Sequence, residues 1–159
     1  MGRVGGWFAA LTAAALLVGT PACGGGGGGR LSKSAYEQKL QAEGKRLTPL
    51  LSAMGEAMVS PNPRSLVGKL ETARKELQKS ADKLSSLDPP TDAVEDNKKI
   101  AHTLHRFSTI LGGVESAAEK GDASKVRRLL SQIQSAGNEG QAASNDLKKK
   151  GYHIGAFGG

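Results

Sequence analysis

The feature that most constrains the fold is an apolar stripe with helical spacing between Pro63 and Leu87. Leucine and alanine recur there every three or four residues, which places them on one face of an α-helix. Asn62 and Pro63 form a start signal before the stripe, and the segment DPPT forms a stop after it. The predicted core face consists of Leu66, Leu70, Ala73, Leu77, Ala81, Leu84 and Leu87.

The segment before this stripe has the same periodicity and predicts a helix from about Ser34 to Val59. Its apolar face comprises Tyr36, Leu40, Leu47, either Leu50 or Leu51, Met54 and Met58. Pro49 lies inside the segment, where it removes a backbone hydrogen bond and crowds the preceding turn. We therefore expect a kink or a break near Thr48.

Two more amphipathic segments follow the DPPT turn. One predicts a helix over about 92–120, capped by Thr91, and the other predicts a helix that Asp122 caps and Gly151 ends. In the first, the expected core residues are Ile100, Leu104, Phe107, Leu111, Val114 and Ala118. In the second, they are Val126, Leu129, Leu130, Ile133, Ala136, Ala143 and Leu147, with Gly137 and Gly140 as weak points.

These four segments predict the fold class. A core of Leu, Ile, Val, Met and Ala with few aromatic residues suits packed helices better than a β-sandwich. Long helices joined by short turns that contain Pro or Gly favour antiparallel neighbours. The sequence therefore predicts an all-α, up-down antiparallel bundle of about four helices over 34–150. We expect the tail, residues 151–159, to fold back over this bundle.

Residues 1–22 have the pattern of a signal peptide. Arg3 precedes the apolar run VGGWFAALTAAALLVG, and the next charged residue is Arg30. This charge placement keeps the N-terminus inside and directs the rest of the chain outward. Residues 23–33 follow as a Gly-rich segment, which predicts a flexible tether to the bundle.

Cys23, the only cysteine, stands directly after LLVGTPA. This stretch resembles the lipobox of bacterial lipoproteins. The resemblance implies that diacylglycerol is attached to the thiol and that the signal peptide is cut just before Cys23. Ordinary signal-peptidase cleavage after Ala22 and an uncleaved anchor stay open, and both also place the bundle outside the cytoplasm.

The segment LSSLDPPTDAVEDNKKIAHTLHRF is similar in composition to small helical lipoproteins of high-GC Gram-positive bacteria. That group is mostly without assigned function, so the resemblance implies an architecture and a location on the outer face of the cell membrane, and no reaction.

The formal net charge of +7 favours anionic partners. The basic segments KVRRLL and LKKKG lack the interleaved aromatic residues that stack on bases, so nucleic acid is not an expected partner. The expected partners are membrane lipid, through acylated Cys23, and an envelope protein or an anionic cell-wall polymer.

Two pairs of side chains are candidates for a metal or haem site. His102 and His105 are three residues apart on a predicted helix and could bind a metal with His153 or Glu95. Their alternative role is an exposed pair off the apolar stripe. Met54 and Met58 could bind copper, or haem in a helical bundle, and their alternative role is core filling.

The segment SADK at 80–83 matches the S-x-x-K motif of penicillin-recognising enzymes, but the S-D-N and K-T-G motifs of those enzymes are absent. We therefore expect Ser80 and Lys83 to lie on a solvated helix face.

With no nucleophile–base pair evident, we predict no enzyme activity and no cofactor. The expected function is that of a membrane-anchored, non-catalytic binding or structural module, and the alternative is a small metal- or haem-binding bundle.

Overall fold

A computed structural model describes residues 29–58 and 63–155, without the side chains of 51, 53–58 and 63–66. Within these ranges the chain forms four long helices and no strand. They are α1 (Lys33–Met58), α2 (Pro63–Ser85), α3 (Val94–Glu119) and α4 (Ala123–Lys149). The prediction of an all-α bundle is confirmed. None of these described helices is long and apolar enough to cross a membrane.

Contacts between the helices fix their directions. Glu43 of α1 meets Ser80 of α2, and Arg46, one turn later in α1, meets Glu76, one turn earlier in α2. Consecutive helices therefore run antiparallel at this pair. The same order holds between α2 and α3 and between α3 and α4, as the pairs Gln78–His105, Arg74–Glu115, Asp96–Lys150 and Arg106–Glu139 show. The main packing pairs are α1 with α2, α2 with α3, and α3 with α4.

The core is built mainly from the predicted stripes. The α2 stripe is confirmed from Leu70 to Leu84, and Leu87 is half-buried. The largest fully buried side chains include Tyr36, Leu40, Leu70, Leu77, Leu84, Leu111, Leu147 and Ile154. Burying each leucine stabilises the fold by about 1.5–3 kcal/mol relative to an exposed side chain. The bundle is therefore stabilised chiefly by aliphatic packing.

Three local expectations are wrong in full or in part. Helix α1 continues through Pro49 to Met58, so the break near Thr48 is wrong, and a kink there stays a prediction. Thr91 does not cap α3, because Thr91–Ala93 forms a 3-10 turn that leads into the helix without a side-chain cap. Ala118 is exposed and Ala117 is buried instead. Because α3 packs between α2 and α4, it is covered over a broader arc that includes Ile110 and Ala117.

Helix α4 is buried unevenly. Ala136, Ala143 and Leu147 lie in the core. The predicted core residues of its first half, Val126, Leu129, Leu130 and Ile133, are only half-buried. This half of α4 therefore leaves apolar surface next to α3.

The described part of the tail, residues 151–155, folds back over α1, as expected. Gly151, at φ +77°, ends α4, and the Tyr152 amide donates to the carbonyl of Leu147 at 3.0 Å. The Tyr152 ring then meets the Tyr36 ring edge-on, with 5.8 Å between centroids. Ile154 is buried as well, so the tail covers the first turns of α1.

Helices α3 and α4 approach closely at Gly140. A Cβ on Gly140 would lie 2.9 Å from Cγ2 of Thr103, which is closer than two carbon atoms pack. Gly68 on α2 differs, because a Cβ there would meet nothing within 4 Å. The two glycines therefore offer a matched pair for testing this contact.

We expect Gly140→Ala to destabilise the fold and Gly68→Ala to stabilise it. Replacing an exposed helical glycine by alanine gains about 1 kcal/mol in helix propensity. At position 140 an overpacking cost of about 1–3 kcal/mol opposes that gain. Urea unfolding followed by circular dichroism measures both changes, and equal stabilisation by the two substitutions would contradict the close contact.

Candidate functional site

The His102–His105 pair is exposed on α3. Both rings line a surface groove between α2 and α3, together with Arg30 at the start of the described chain. Nδ1 of His105 lies 2.9 Å from Oε1 of Gln78. The expectation that the two histidines lie off the buried face of α3 is confirmed.

The other two candidate ligands are held elsewhere. The backbone of His153 bonds to the side chains of Glu37 and Gln41 on α1, so this residue belongs to the covering tail. Glu95 pairs with Lys98 at 2.9 Å. Among the described residues no three His, Cys, Asp or Glu side chains are close enough to hold a metal ion.

The predicted methionine pair lies in the last two turns of α1. The structure describes the helix at Met54 and Met58 but not their side chains. Cys23 also lies outside the described residues. The predictions for these three residues therefore stay predictions.

The expectation for the SADK segment is wrong at Ser80. Ser80 is fully buried, and its hydroxyl donates to Oε2 of Glu43 at 2.8 Å. Lys83 donates to the other carboxylate oxygen at 3.0 Å. Arg46 bonds to Glu43, Ser80 and Glu76 together. We call these five residues the Glu43 cluster. The sequence pattern missed it because its partners come from two helices.

The electrostatics of the Glu43 cluster do not favour catalysis. Burial raises the pKa of the Glu43 carboxyl, but hydrogen bonds from Arg46, Lys83 and Ser80 lower it by more, so the pKa lies below its ordinary 4.5. An ionised carboxylate held by two cations is a poor general base near neutral pH. The cluster therefore fastens α1 to α2 and does not activate Ser80.

A second cluster of polar side chains stabilises the end of the bundle near the tail. The Tyr36 hydroxyl donates to Oδ1 of Asn97 at 3.1 Å, and the Tyr152 hydroxyl donates to Oδ1 of Asp92 at 2.6 Å. Burial raises the pKa of both tyrosines above the ordinary value, so both hydroxyls remain donors. Lys150 bonds to Asp96 beside them. These hydrogen bonds therefore also stabilise the fold.

The structure shows one site that the sequence analysis missed. A cavity of about 210 Å³ lies between all four helices. Its apolar wall includes Leu47 of α1, Leu77 of α2 and Leu104 of α3, and Ser144 contributes from α4. The sequence signal for it was the set of glycines inside predicted helices, because Gly44, Gly137 and Gly140 all line the cavity.

One polar atom beside this cavity lacks a partner. The Thr103 hydroxyl is buried against Gly140 and has no hydrogen-bond partner among the described residues. A buried hydroxyl without a hydrogen-bond partner lowers the stability of the fold, so such groups are uncommon in native proteins. The hydroxyl of Thr103 is therefore free to bond to a molecule that enters the cavity.

The cavity continues into a surface groove. Phe107, Gly137 and Gln141 line both, and the groove extends along α4 past Ile133 to Leu130. None of the described residues that line the two spaces is charged. The combined site can therefore accept a largely apolar molecule, and it offers hydrogen bonds from hydroxyl and amide side chains.

The Glu43 cluster predicts an acid-sensitive contribution to stability. We expect Glu43→Gln to lower the free energy of unfolding by about 2 kcal/mol at neutral pH, because Arg46 and Lys83 lose a charged partner. Since the folded-state pKa of Glu43 is lowered, its contribution is present above the unfolded-state pKa and is lost as pH falls through the folded-state value. Urea unfolding at neutral pH and at several values below 4.5 measures the difference.

The control for that experiment is Glu71→Gln, which alters an exposed Glu71–Lys75 pair on α2. We expect a much smaller loss there, because exposed pairs contribute little. A Glu43→Gln variant as stable as wild type at neutral pH would show that the cluster does not hold α1.

The geometry thus offers an uncharged interhelical cavity and two polar clusters that serve the fold. A search of protein-family models, of curated proteins and of solved structures finds no match to this chain.

Proposed function

We propose that this protein is a lipoprotein anchored to the outer face of the cell membrane, and that its helical bundle works by non-catalytic binding. The observation that carries the proposal is the position of Cys23, the only cysteine, between an apolar run and a glycine tether. An exported chain with one cysteine cannot form an internal disulfide, and acylation explains the thiol. Two or three acyl chains would hold it firmly in a bilayer.

The described start of the chain fits an anchored bundle. The Leu31 amide donates to the Asp88 carbonyl at 2.7 Å, and Arg30 donates to the Pro89 carbonyl at 3.3 Å. The chain therefore enters the bundle at the turn between α2 and α3, beside the covering tail. An anchor at Cys23 would orient this end of the bundle toward the membrane.

The burial and pairing of the polar side chains favour binding over catalysis. Ser80 is inaccessible, and the carboxylate beside it is already held by Arg46 and Lys83. No titratable side chain is among the described residues that line the cavity. A small ligand in the cavity is the best-supported partner, and the net charge of +7 favours an anionic wall polymer at the outer surface.

The anchor predicts a defined mass for the native chain. Protein extracted from its own membrane should begin at Cys23 and carry two or three acyl groups in a denaturing mass spectrum. The Cys23→Ala variant should lack the acyl mass, because the acceptor thiol is gone. A wild-type chain that retains residues 1–22, or whose Cys23 is unmodified, would contradict the anchor.

The alternative function, metal or haem binding, rests on His102, His105, Met54 and Met58. Because no third His, Cys, Asp or Glu ligand lies near His102 and His105 among the described residues, we expect Zn²⁺ to bind wild type and the His102→Ala/His105→Ala double variant equally weakly. Calorimetric titration of both proteins measures this. Stoichiometric binding that the double variant loses, or a Soret band in the purified protein, would favour the alternative.

A further inference from the structure

We propose that the cavity and the groove together bind a single-chain amphiphile, with the aliphatic chain inside and an uncharged polar head at the rim. The inference deepens the binding function proposed above and is independent of the Cys23 anchor. It stands on the shape of the site, its apolar walls and the side chains at its opening.

The site is long. From Leu130 at the outer end of the groove to Ser144 in the cavity, α4 rises by about 21 Å. The cavity has a volume of about 210 Å³, and the groove into which it opens has a volume of about 560 Å³. An extended aliphatic chain can follow α4 through both spaces.

The inner walls suit a hydrocarbon chain. Leu47, Leu77, Leu104 and Phe107 provide apolar contact from three helices. Contact with a hydrocarbon chain would remove these apolar side chains from water, which stabilises the complex.

The rim suits a polar group without charge. Gln134, Asn138 and Gln141 are exposed along one side of α4, at spacings of four and three residues. Their amides both donate and accept hydrogen bonds, which matches a hydroxyl, ester or amide head. A carboxylate or phosphate head would find no cationic side chain among the described lining residues.

Gly137 offers a way to block the site at the point where cavity and groove join. A Cβ there would meet only Cζ of Phe107, at an ordinary 3.7 Å. Gly137→Leu should therefore fold while its side chain fills the junction. Gly68→Leu is the matched control, because the same change falls in open space on α2. Ser144→Leu is a second blocking variant, which fills the inner cavity.

The test is equilibrium binding of radiolabelled monopalmitoylglycerol to the full, delipidated chain, with palmitate at neutral pH as the charged comparison. Circular dichroism and thermal unfolding confirm that each variant is folded. We expect saturable binding of monopalmitoylglycerol to wild type and to Gly68→Leu, and a loss of affinity of about tenfold or more in Gly137→Leu and Ser144→Leu. Palmitate should bind more weakly than monopalmitoylglycerol.

Absence of saturable binding to wild type, or full affinity in both folded blocking variants, would overturn the proposed site. Palmitate binding as tight as that of monopalmitoylglycerol would overturn the uncharged head group. Either failure would leave the membrane anchor standing, because the mass of Cys23 tests that separately.

Discussion

The architecture depends on how α1 is attached to the other three helices. Helices α2, α3 and α4 pack side by side through broad aliphatic faces. Helix α1 packs mainly on α2, where the Glu43 cluster holds its middle. At the start of α1, Tyr36 bonds to Asn97 of α3 and packs against the Tyr152 ring of the tail. In the described part of the chain, α1 and α4 do not form one of the main packing pairs. The cavity lies in the space that results.

This arrangement has an energetic logic. Burying the charges of Glu43 and Arg46 costs free energy, which their hydrogen bonds and the contacts from Ser80 and Lys83 offset. Such directional contacts fix the register of α1 on α2 more narrowly than leucine packing alone does. Glycines facing the gap then keep it open, since Gly44, Gly137 and Gly140 contribute no side chain to fill it.

The sequence predicted those parts of the fold that depend on local periodicity. The stripe from Leu70 to Leu84, the Asp122 cap and the Gly151 terminus are all present, because each depends on residues within a few positions of each other. The burial of Ser80 was missed because its partners, Glu43 and Arg46, come from another helix. Its polar side chain led to its assignment to the solvated face, although Ser80 lies three residues after Leu77 and four before Leu84, beside the apolar stripe.

The candidate site was hardly predictable. Its volume depends on the distance between helices and on which glycines face each other, and neither quantity follows from one segment's pattern. Gly137 and Gly140 were recognised only as weak points of a helix, whereas in the structure they border the cavity. The exposure of His102 and His105 did follow from the sequence, since it depends only on their position relative to the apolar face of α3.

The central claim is that the bundle carries a ligand between its helices. The most direct test is to compare native and denaturing mass spectra of the protein extracted from its own membrane. The account predicts an additional mass in the native spectrum that is lost on denaturation and equals that of a single-chain, uncharged amphiphile. Identical masses in the two spectra would contradict it.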